Sequence, residues 1–400
     1  MQILDYIKSV ESGEKRDFDT PAYVVEERAL RRNCEILASV AEKSGAQVLL
    51  ALKGFAFTRT LKIVGEYLSG CACSGLWEAR LAKEFMGKQI HTFSPAFKDG
   101  EFDEIATLSG HIIFNSLAQL ARFKDKALAN GVKIGLRCNV EFSKAPKELY
   151  NPCGRFSRLG VLARDLQKAH ANGELEGVSG LHFHALCEES ADSLELVLGE
   201  FRAKFGEFLP KMSWVNFGGG HHITKKGYDT ELLIALCKGF AQDFGVQVLL
   251  EPGEAVGWEV GTLVASVVDL VRNEKDIAIL DTSSEAHMPD TIIMPYTSEV
   301  AGARVLATRE GEQISALQKD EFAYLLGGNT CLAGDIMGEY AFKTPLKRGD
   351  KVVFLDQAHY SIVKNTTFNG VVLPKLLFLR ADGVLELVRD FGYEEYKRRN

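Results

Sequence analysis

Over its first 260 residues this 400-residue chain alternates short apolar runs with stretches of helical periodicity, and it does so eight times. The runs are QVLLALK (47–53), SGCACSG (69–75), QIHTFSP (89–95), HIIFN (111–115), VKIGLRCN (132–139), SGLHFHA (179–185), WVNFGGG (214–220) and VQVLLEPG (246–253). Between them lie amphipathic stretches such as LWEARLAKEFMG (76–87) and SLAQLARFKDKALAN (116–130). Eight strands with helices between them is the count that closes a (β/α)8 barrel, a TIM-type α/β fold. Several runs are followed at once by Gly, Pro, Ser or Asn. Those residues therefore sit at the carboxyl ends of the strands, the face on which such barrels carry chemistry.

Past Gly261 the rhythm changes. TLVASVVDLV (262–271), DIAILDT (276–282), TIIMPYT (291–297), FAYLLGG (322–328), KVVFLDQ (351–357), VVLPKLLFLR (371–380) and VLELVRD (384–390) follow one another with few helical stretches between. A run of strands after a run of β/α units reads as a separate β-rich domain. The expected division is a barrel over 25–260 and a β-rich domain over 261–400, with residues 1–24 contributing to the second. The closing YEEYKRRN is expected to be a frayed, charged tail.

Composition narrows the function classes. Forty-seven basic against fifty-four acidic side chains give a net charge of −7, which argues against a general nucleic-acid binder and favours cationic small partners. The amino terminus has no apolar h-region and no apolar run reaches membrane-spanning length, so a cytoplasmic protein is expected. Eight cysteines are too sparse for a disulfide framework, and none forms a CxxC pair. Cys71 and Cys73 fall on one face of a strand with no second ligand pair at zinc spacing, so free thiols are expected.

Charged and special residues at the strand ends carry the chemical signal. Lys53 closes the first run, where partial desolvation would lower its amine's pKa and make it a Schiff-base candidate; the alternative is a lysine snorkelling at a strand end. Alternation puts His182 and His184 on one face. They read first as core histidines, and otherwise as imidazoles packed against a flat cofactor or as a metal pair with Glu251, Asp281, His221 and His222 available as further ligands. Gly218, Gly219 and Gly220 open the loop after the seventh run, as a phosphate nest or as a tight turn. Glu251 closes the eighth run, facing a ring nitrogen, a metal or an ion-pair partner, and Glu254 adds an acid near the same mouth. In the second domain GGNTCLAGDIMGE (327–339) carries Cys331 and Asp335, and DQAHYSIVKNTTFNG (356–370) carries Tyr360. Taken alone, these read as a buried cysteine in a glycine-rich turn and a core or interface tyrosine.

The order of these features resembles the fold-type III pyridoxal-phosphate decarboxylases, which include the ornithine/arginine and diaminopimelate enzymes and share the alanine racemase-like architecture. A lysine after the first strand, a strand ending in HxH, a GGG loop, EPG, a cysteine turn and a tyrosine shortly before TFNG occur in that sequence across nearly the whole chain. The strings ALKGFAF, CSGLWEA, ELYNPCGR, HFHALCEESAD, NFGGGHHITKKGYD, EPGEAVGW, LDTSSEAHMPD and CLAGD are most similar to the branch that acts on carboxylated polyamines. The resemblance implies that Lys53 bonds to pyridoxal 5'-phosphate and that His184 lies over its ring with His182 in support. It implies that Gly218, Gly219 and Gly220 cradle the phosphate with Tyr360 as a further ligand. Glu251 would face the pyridine nitrogen. Cys331 would reprotonate the α-carbon across a head-to-tail homodimer interface, so that each site needs two chains.

Departures from the wider family point to the substrate. Ornithine and diaminopimelate enzymes usually carry an arginine after EPG, where this chain has Glu254; the residue after the family cysteine, usually acidic, is Leu332; and HxGS is replaced at Ala185, Leu186, Cys187 and Glu188. An anion in place of a cation at the mouth disfavours a distal carboxylate and favours a distal amine. Glu254 and Asp290 are therefore the expected partners of a polyamine's nitrogens, with Asp335 behind them. Asp290 reads equally as a solvated turn aspartate. The competing functions are a diaminopimelate decarboxylase or related racemase and, more distantly, a metal-dependent barrel hydrolase built on His182 and His184.

Overall fold

A computed structural model of the chain describes residues 2–145 and 150–400; Glu148 and Leu149, which open the ELYNPCGR string, lie outside the described residues. The chain divides into two units, Arg31–Val256 and Met1–Leu30 with Gly257–Asn400. Strand β1 (Ala22–Glu26) belongs to the sheet of the second of these.

All eight apolar runs of the first unit become parallel strands of one closed barrel: β2 (Gln47–Ala51), β3 (Gly70–Cys73), β4 (Gln89–Ser94), β5 (His111–Phe114), β6 (Lys133–Arg137), β7 (Val178–His182), β8 (Trp214–Asn216) and β9 (Gln247–Leu250). Closure is made by β9 pairing with β2. Parallel strands covered on both faces explain why the runs are continuously apolar rather than alternating. The helices between them read from the 3.6-residue period: Leu117–Ala129 buries Leu120, Phe123 and Ala127, and its first turn is capped by Ser116 Oγ, which accepts the Gln119 N–H at 3.2 Å.

The barrel interior is layered. Leu49, Ala51, Ala72, Ile113, Trp214 and Leu249 form its apolar middle. The Trp214 indole lies so close over β6 and β7 that a Cβ at Gly135 or Gly180 would come within 2.3 and 2.0 Å of it. At the amino-terminal end of the strands, His91 and His111 pair in register and their rings stack at 3.9 Å, with Trp214 edge-on to His111. At the other end Arg137, His182 and Asn216 lie in register across β6, β7 and β8, so their side chains share one face of the sheet.

This interior makes the barrel acid-sensitive. Burial lowers the pKa of His91, His111, His182, His184 and His221, to about 4 for His111 and His221. The neighbouring Lys133 and the stacked partner add to the effect at His91. The unfolded chain binds protons near pH 6.5 and the folded barrel does not, so stability is lost as pH falls from about 6.5 toward about 4. Each such histidine contributes up to about 1.4 kcal/mol per pH unit in that window. The urea midpoint of the apoprotein is expected to drop steeply between pH 7 and 5; a flat midpoint over that range contradicts the buried neutral histidines.

The second unit is built on a sheet in the order β12-β14-β13-β11-β10-β1-β16-β17, with β15 also pairing β10. Its strands are β10 (Gly261–Asn273), β11 (Lys275–Leu280), β12 (Ala303–Ala307), β13 (Phe322–Gly327), β14 (Ile336–Phe342), β15 (Lys351–Phe354), β16 (Lys375–Leu379) and β17 (Leu385–Arg389). β1 sits between β10, antiparallel, and β16, parallel. The amino-terminal helix Gln2–Glu11 packs Ile3 and Ile7 against Ala22, Val24, Val264 and Val353, and Glu26 accepts the N–H groups of Gln2 and Ile3 at 3.1 and 3.0 Å. Two sequence expectations fail here. TIIMPYT is not a strand but the short helix Asp290–Ile293, bracketed by Pro289 and Pro295, whose missing N–H groups suit a helix start and a stop better than a ladder. YEEYKRRN is not frayed: Tyr393–Arg399 is helical, with acids in its first turn and bases in its last, as the helix dipole favours. Among the described residues, no helix is long and apolar enough to cross a membrane.

Candidate active site

The carboxyl ends of the barrel strands gather most of the polar groups singled out above. Lys53 lies two residues beyond β2, in the turn closed by the Gly54 N–H on Ala51 O, within the fields of Arg137 and Glu251. Its side chain carries exposed surface, and its Nζ makes no hydrogen bond or ion pair among the described residues. The surrounding protein mass lowers its pKa, Arg137 lowers it further, and the carboxylates of Glu251 and Glu78 pull the other way. An unpaired amine biased toward its neutral form is a nucleophile.

Glu251 follows β9 and is buried. Its Oε1 accepts a 2.6 Å hydrogen bond from Asn216 Nδ2, while Oε2 lies 3.7 Å from His182 Nε2, too far for a hydrogen bond. Burial raises the pKa of this carboxyl, and the Asn216 bond, Lys53 and Arg137 oppose that rise. Both ring nitrogens of His182 are buried without a hydrogen bond, and its ring meets Phe93 edge-on at 5.7 Å. His184 is half-buried; its Nδ1 accepts the Gly219 N–H at 3.0 Å, which fixes the proton of the neutral ring on Nε2. Burial first, then the charges of Lys53 and Arg137, hold both histidines far below their ordinary pKa.

The three glycines are required by close backbone approach. A Cβ at Gly218, Gly219 or Gly220 would come within 2.5 Å of Phe183 O, 2.5 Å of Glu251 O or 2.2 Å of Leu186 O. The nest expected from all three is narrower than the sequence suggested. The Gly218 N–H goes to Asn216 Oδ1 at 2.8 Å and the Gly219 N–H to His184, which leaves the Gly220 N–H without an acceptor among the described residues. Glu254 lies on the turn after β9, with Oε2 3.1 Å from His222 Nε2, and Thr224 Oγ1 donates to Ala255 O across the same pair of loops.

Cys331, Asp335, Asp290 and Tyr360 belong to the other unit. Of the eight cysteines, all free, Cys331 alone is exposed. Its N–H donates to Asn369 Oδ1 at 2.8 Å. Asp335 is buried and accepts from the Ser284 N–H and Oγ–H at 2.8 and 2.9 Å and from Thr330 Oγ at 2.7 Å, so it anchors the cysteine turn to the SEAH segment. Asp290 is ion-paired with Lys364. Tyr360 holds a left-handed backbone, φ 49°, a conformation that a bulky residue adopts only where its surroundings impose it. Asp281 is bound by Thr20 Oγ and the Ser266 N–H in this unit, and among the described residues no three histidine, cysteine or acidic side chains gather as metal ligands.

Three residues that sequence reasoning passed over now stand out. Arg137, which ends β6, is buried with its guanidinium 4.7 Å over the Phe93 ring and no hydrogen bond or ion pair among the described residues. The signal was the same as for Lys53, a cation closing an apolar run. Asn216 and Asn369 each hold a neighbour predicted to be functional, and nothing local to their strings announces it.

A family model described as the pyridoxal-dependent decarboxylase, C-terminal sheet domain, matches residues 22–358. The chain belongs to the pyridoxal-dependent decarboxylases. Its sequence is 68% identical over 95% of this chain and 98% of its relative to the carboxynorspermidine/carboxyspermidine decarboxylase of Campylobacter jejuni. It is 42% identical to the carboxyaminopropylagmatine decarboxylase of a Synechocystis strain, over 98% of both chains. The crystal structure of a Campylobacter jejuni carboxynorspermidine decarboxylase complexed with norspermidine superposes with a TM-score of 0.91 at 66% identity, covering 96% of this chain and 100% of that one. A diaminopimelate decarboxylase structure at 19% identity, TM-score 0.80, covering 99% of this chain and 96% of that one, shares the fold. The fold class expected from the eight strands and the β-rich domain is therefore borne out.

The strand ends of this pyridoxal-dependent decarboxylase fit the family's cofactor, pyridoxal phosphate. Among the described residues the Lys53 amine has no hydrogen-bond or ion-pair partner, Glu251 keeps one oxygen without a hydrogen bond, and the Gly220 N–H has no acceptor. An aldehyde, a basic ring nitrogen and a phosphate are the three groups those atoms suit.

Proposed function

We propose that this pyridoxal-dependent decarboxylase acts on carboxynorspermidine or carboxyspermidine and releases norspermidine or spermidine with CO2, in the cytoplasm. The reading is carried by the 68% identity, nearly end to end, to the Campylobacter jejuni enzyme of that name. The net charge of −7 and the acid after EPG support a cationic substrate.

Lys53 is the residue that holds the cofactor, and its unprotonated amine is what burial and Arg137 favour. Glu251 would face the ring nitrogen and hold a proton there. His184 would cover the ring with a fixed neutral tautomer, with His182 in support. The glycine loop would hold the phosphate, with Gly218 and Gly219 shaping it, the Gly220 N–H donating and Tyr360 as a further ligand. Bound pyridoxal phosphate supplies the sink for the electron pair left on the α-carbon when CO2 departs. Cys331 Sγ returns a proton to that carbon. It comes from a second copy of the chain in a homodimer, which accords with an exposed thiol flanked by exposed Leu332, Phe368 and Val372. Glu254 and Asp290 receive the polyamine's ammonium groups, and Asp335 acts behind them by anchoring the turn.

Charge inversion tests the substrate assignment. Glu254→Arg is expected to lower kcat/KM for either carboxylated polyamine by about 10²-fold or more, because like charges across a binding contact are costly. The variant's affinity for pyridoxal phosphate should change by less than about threefold on the same reasoning. Unchanged kcat/KM for both polyamines would sink the role given to Glu254.

A further inference from the structure

Asn216 is fully buried at the end of β8, and both ends of its amide are used. Nδ2 donates to Glu251 Oε1 at 2.6 Å, and Oδ1 accepts the Gly218 N–H at 2.8 Å. Flipping the amide would set oxygen against carboxylate and NH2 against N–H, so only one orientation satisfies both neighbours. The Glu251 N–H also donates to Gly218 O at 2.8 Å. The acid after β9 and the glycine loop after β8 are thus one hydrogen-bonded unit with Asn216 at its centre. With Oε1 tied, Glu251 presents a single oxygen free of hydrogen bonds, and His182 stands 3.7 Å from it. A carboxylate buried this deeply needs a donor to stay charged. The asparagine amide donates to the carboxylate through its NH2 while accepting the glycine N–H through its oxygen.

We propose that Asn216 is a positioning residue that keeps Glu251 ionised and aims its free oxygen, so that recognition of the cofactor's ring nitrogen depends on Asn216. The inference rests on the reading of Glu251 as the ring-nitrogen partner.

The test compares two ligands on the apoenzyme: pyridoxal phosphate and its 1-deaza analogue, in which C–H replaces the ring nitrogen. Dissociation constants are read from the absorbance of the lysine-bound compound. Asn216→Leu is expected to weaken pyridoxal phosphate by about ten- to hundredfold, the size of a lost charge-assisted hydrogen bond. The analogue should weaken by less than about threefold, because it has no nitrogen to recognise. Asn216→Ala, which removes the donor without adding bulk, should show the same selectivity and decides the matter if the leucine variant does not fold. Equal weakening of both ligands in the alanine variant means a purely structural role and overturns the proposal. Wild-type selectivity in that variant overturns it as well. Glu251→Gln is the control for the underlying reading: if that variant loses both ligands equally, Glu251 is not the ring-nitrogen partner and the inference falls with it.

Discussion

Lys53→Ala is expected to lower kcat by on the order of 10⁴-fold or more, since a residue that bonds covalently during turnover has no substitute in the site. Lys53→Arg is expected to fail as badly, because a guanidinium cannot give up its proton. The pair separates two meanings of the unpaired amine: a cation needed for its charge would be rescued by arginine, and a nucleophile would not. Borohydride reduction of the loaded proteins followed by intact-mass measurement checks the covalent link, with the cofactor's mass expected on the wild type and on neither variant. Turnover within tenfold of wild type in Lys53→Ala would contradict the role of the amine.

Cys331→Ala is expected to keep cofactor affinity and lose about 10² to 10⁴ in kcat, the span of a positioned proton donor. Because Cys331 is the exposed thiol of the chain, the loss should be complemented in trans. When equal amounts of Lys53→Ala and Cys331→Ala are dissociated and reassociated together, half of the dimers are mixed. One of the two sites in each mixed dimer then carries both intact residues. Activity is expected to return to about a quarter of wild type from two nearly inactive parents, as a two-fold symmetric shared site requires. No recovery, with mixed dimers demonstrated, would place Lys53 and Cys331 in the same copy or remove Cys331 from the reaction.

How much of this was legible in the residues depended on how local the cause was. The barrel was legible because its strands, covered on both faces, are apolar runs, and Lys53 is the charged residue that closes the first of them. The sheet of the second unit was only partly so. β1 lies between β10 and β16, pairing Ala22 with Val264 and with Lys375, and no local pattern encodes partners more than two hundred residues away. β14 escaped notice because Gly338, at φ 142°, interrupts its alternation. TIIMPYT has a strand's β-branched composition, yet the prolines around it decide for a helix. In the site, residues with chemistry of their own could be found by type and position. Asn216 and Asn369 could not, since their importance lies in what they hold, and that is a fact of three dimensions.

The substrate is decided by CO2 release from the cofactor-loaded protein offered carboxynorspermidine, carboxyspermidine and meso-diaminopimelate side by side. Turnover of one or both carboxylated polyamines, with none of diaminopimelate, is the predicted result, and the ratio of the two kcat/KM values ranks the tails. A one-carbon difference should separate them by only about 10- to 200-fold. Preferred turnover of diaminopimelate would contradict the account, leaving the fold and cofactor in place and removing the polyamine.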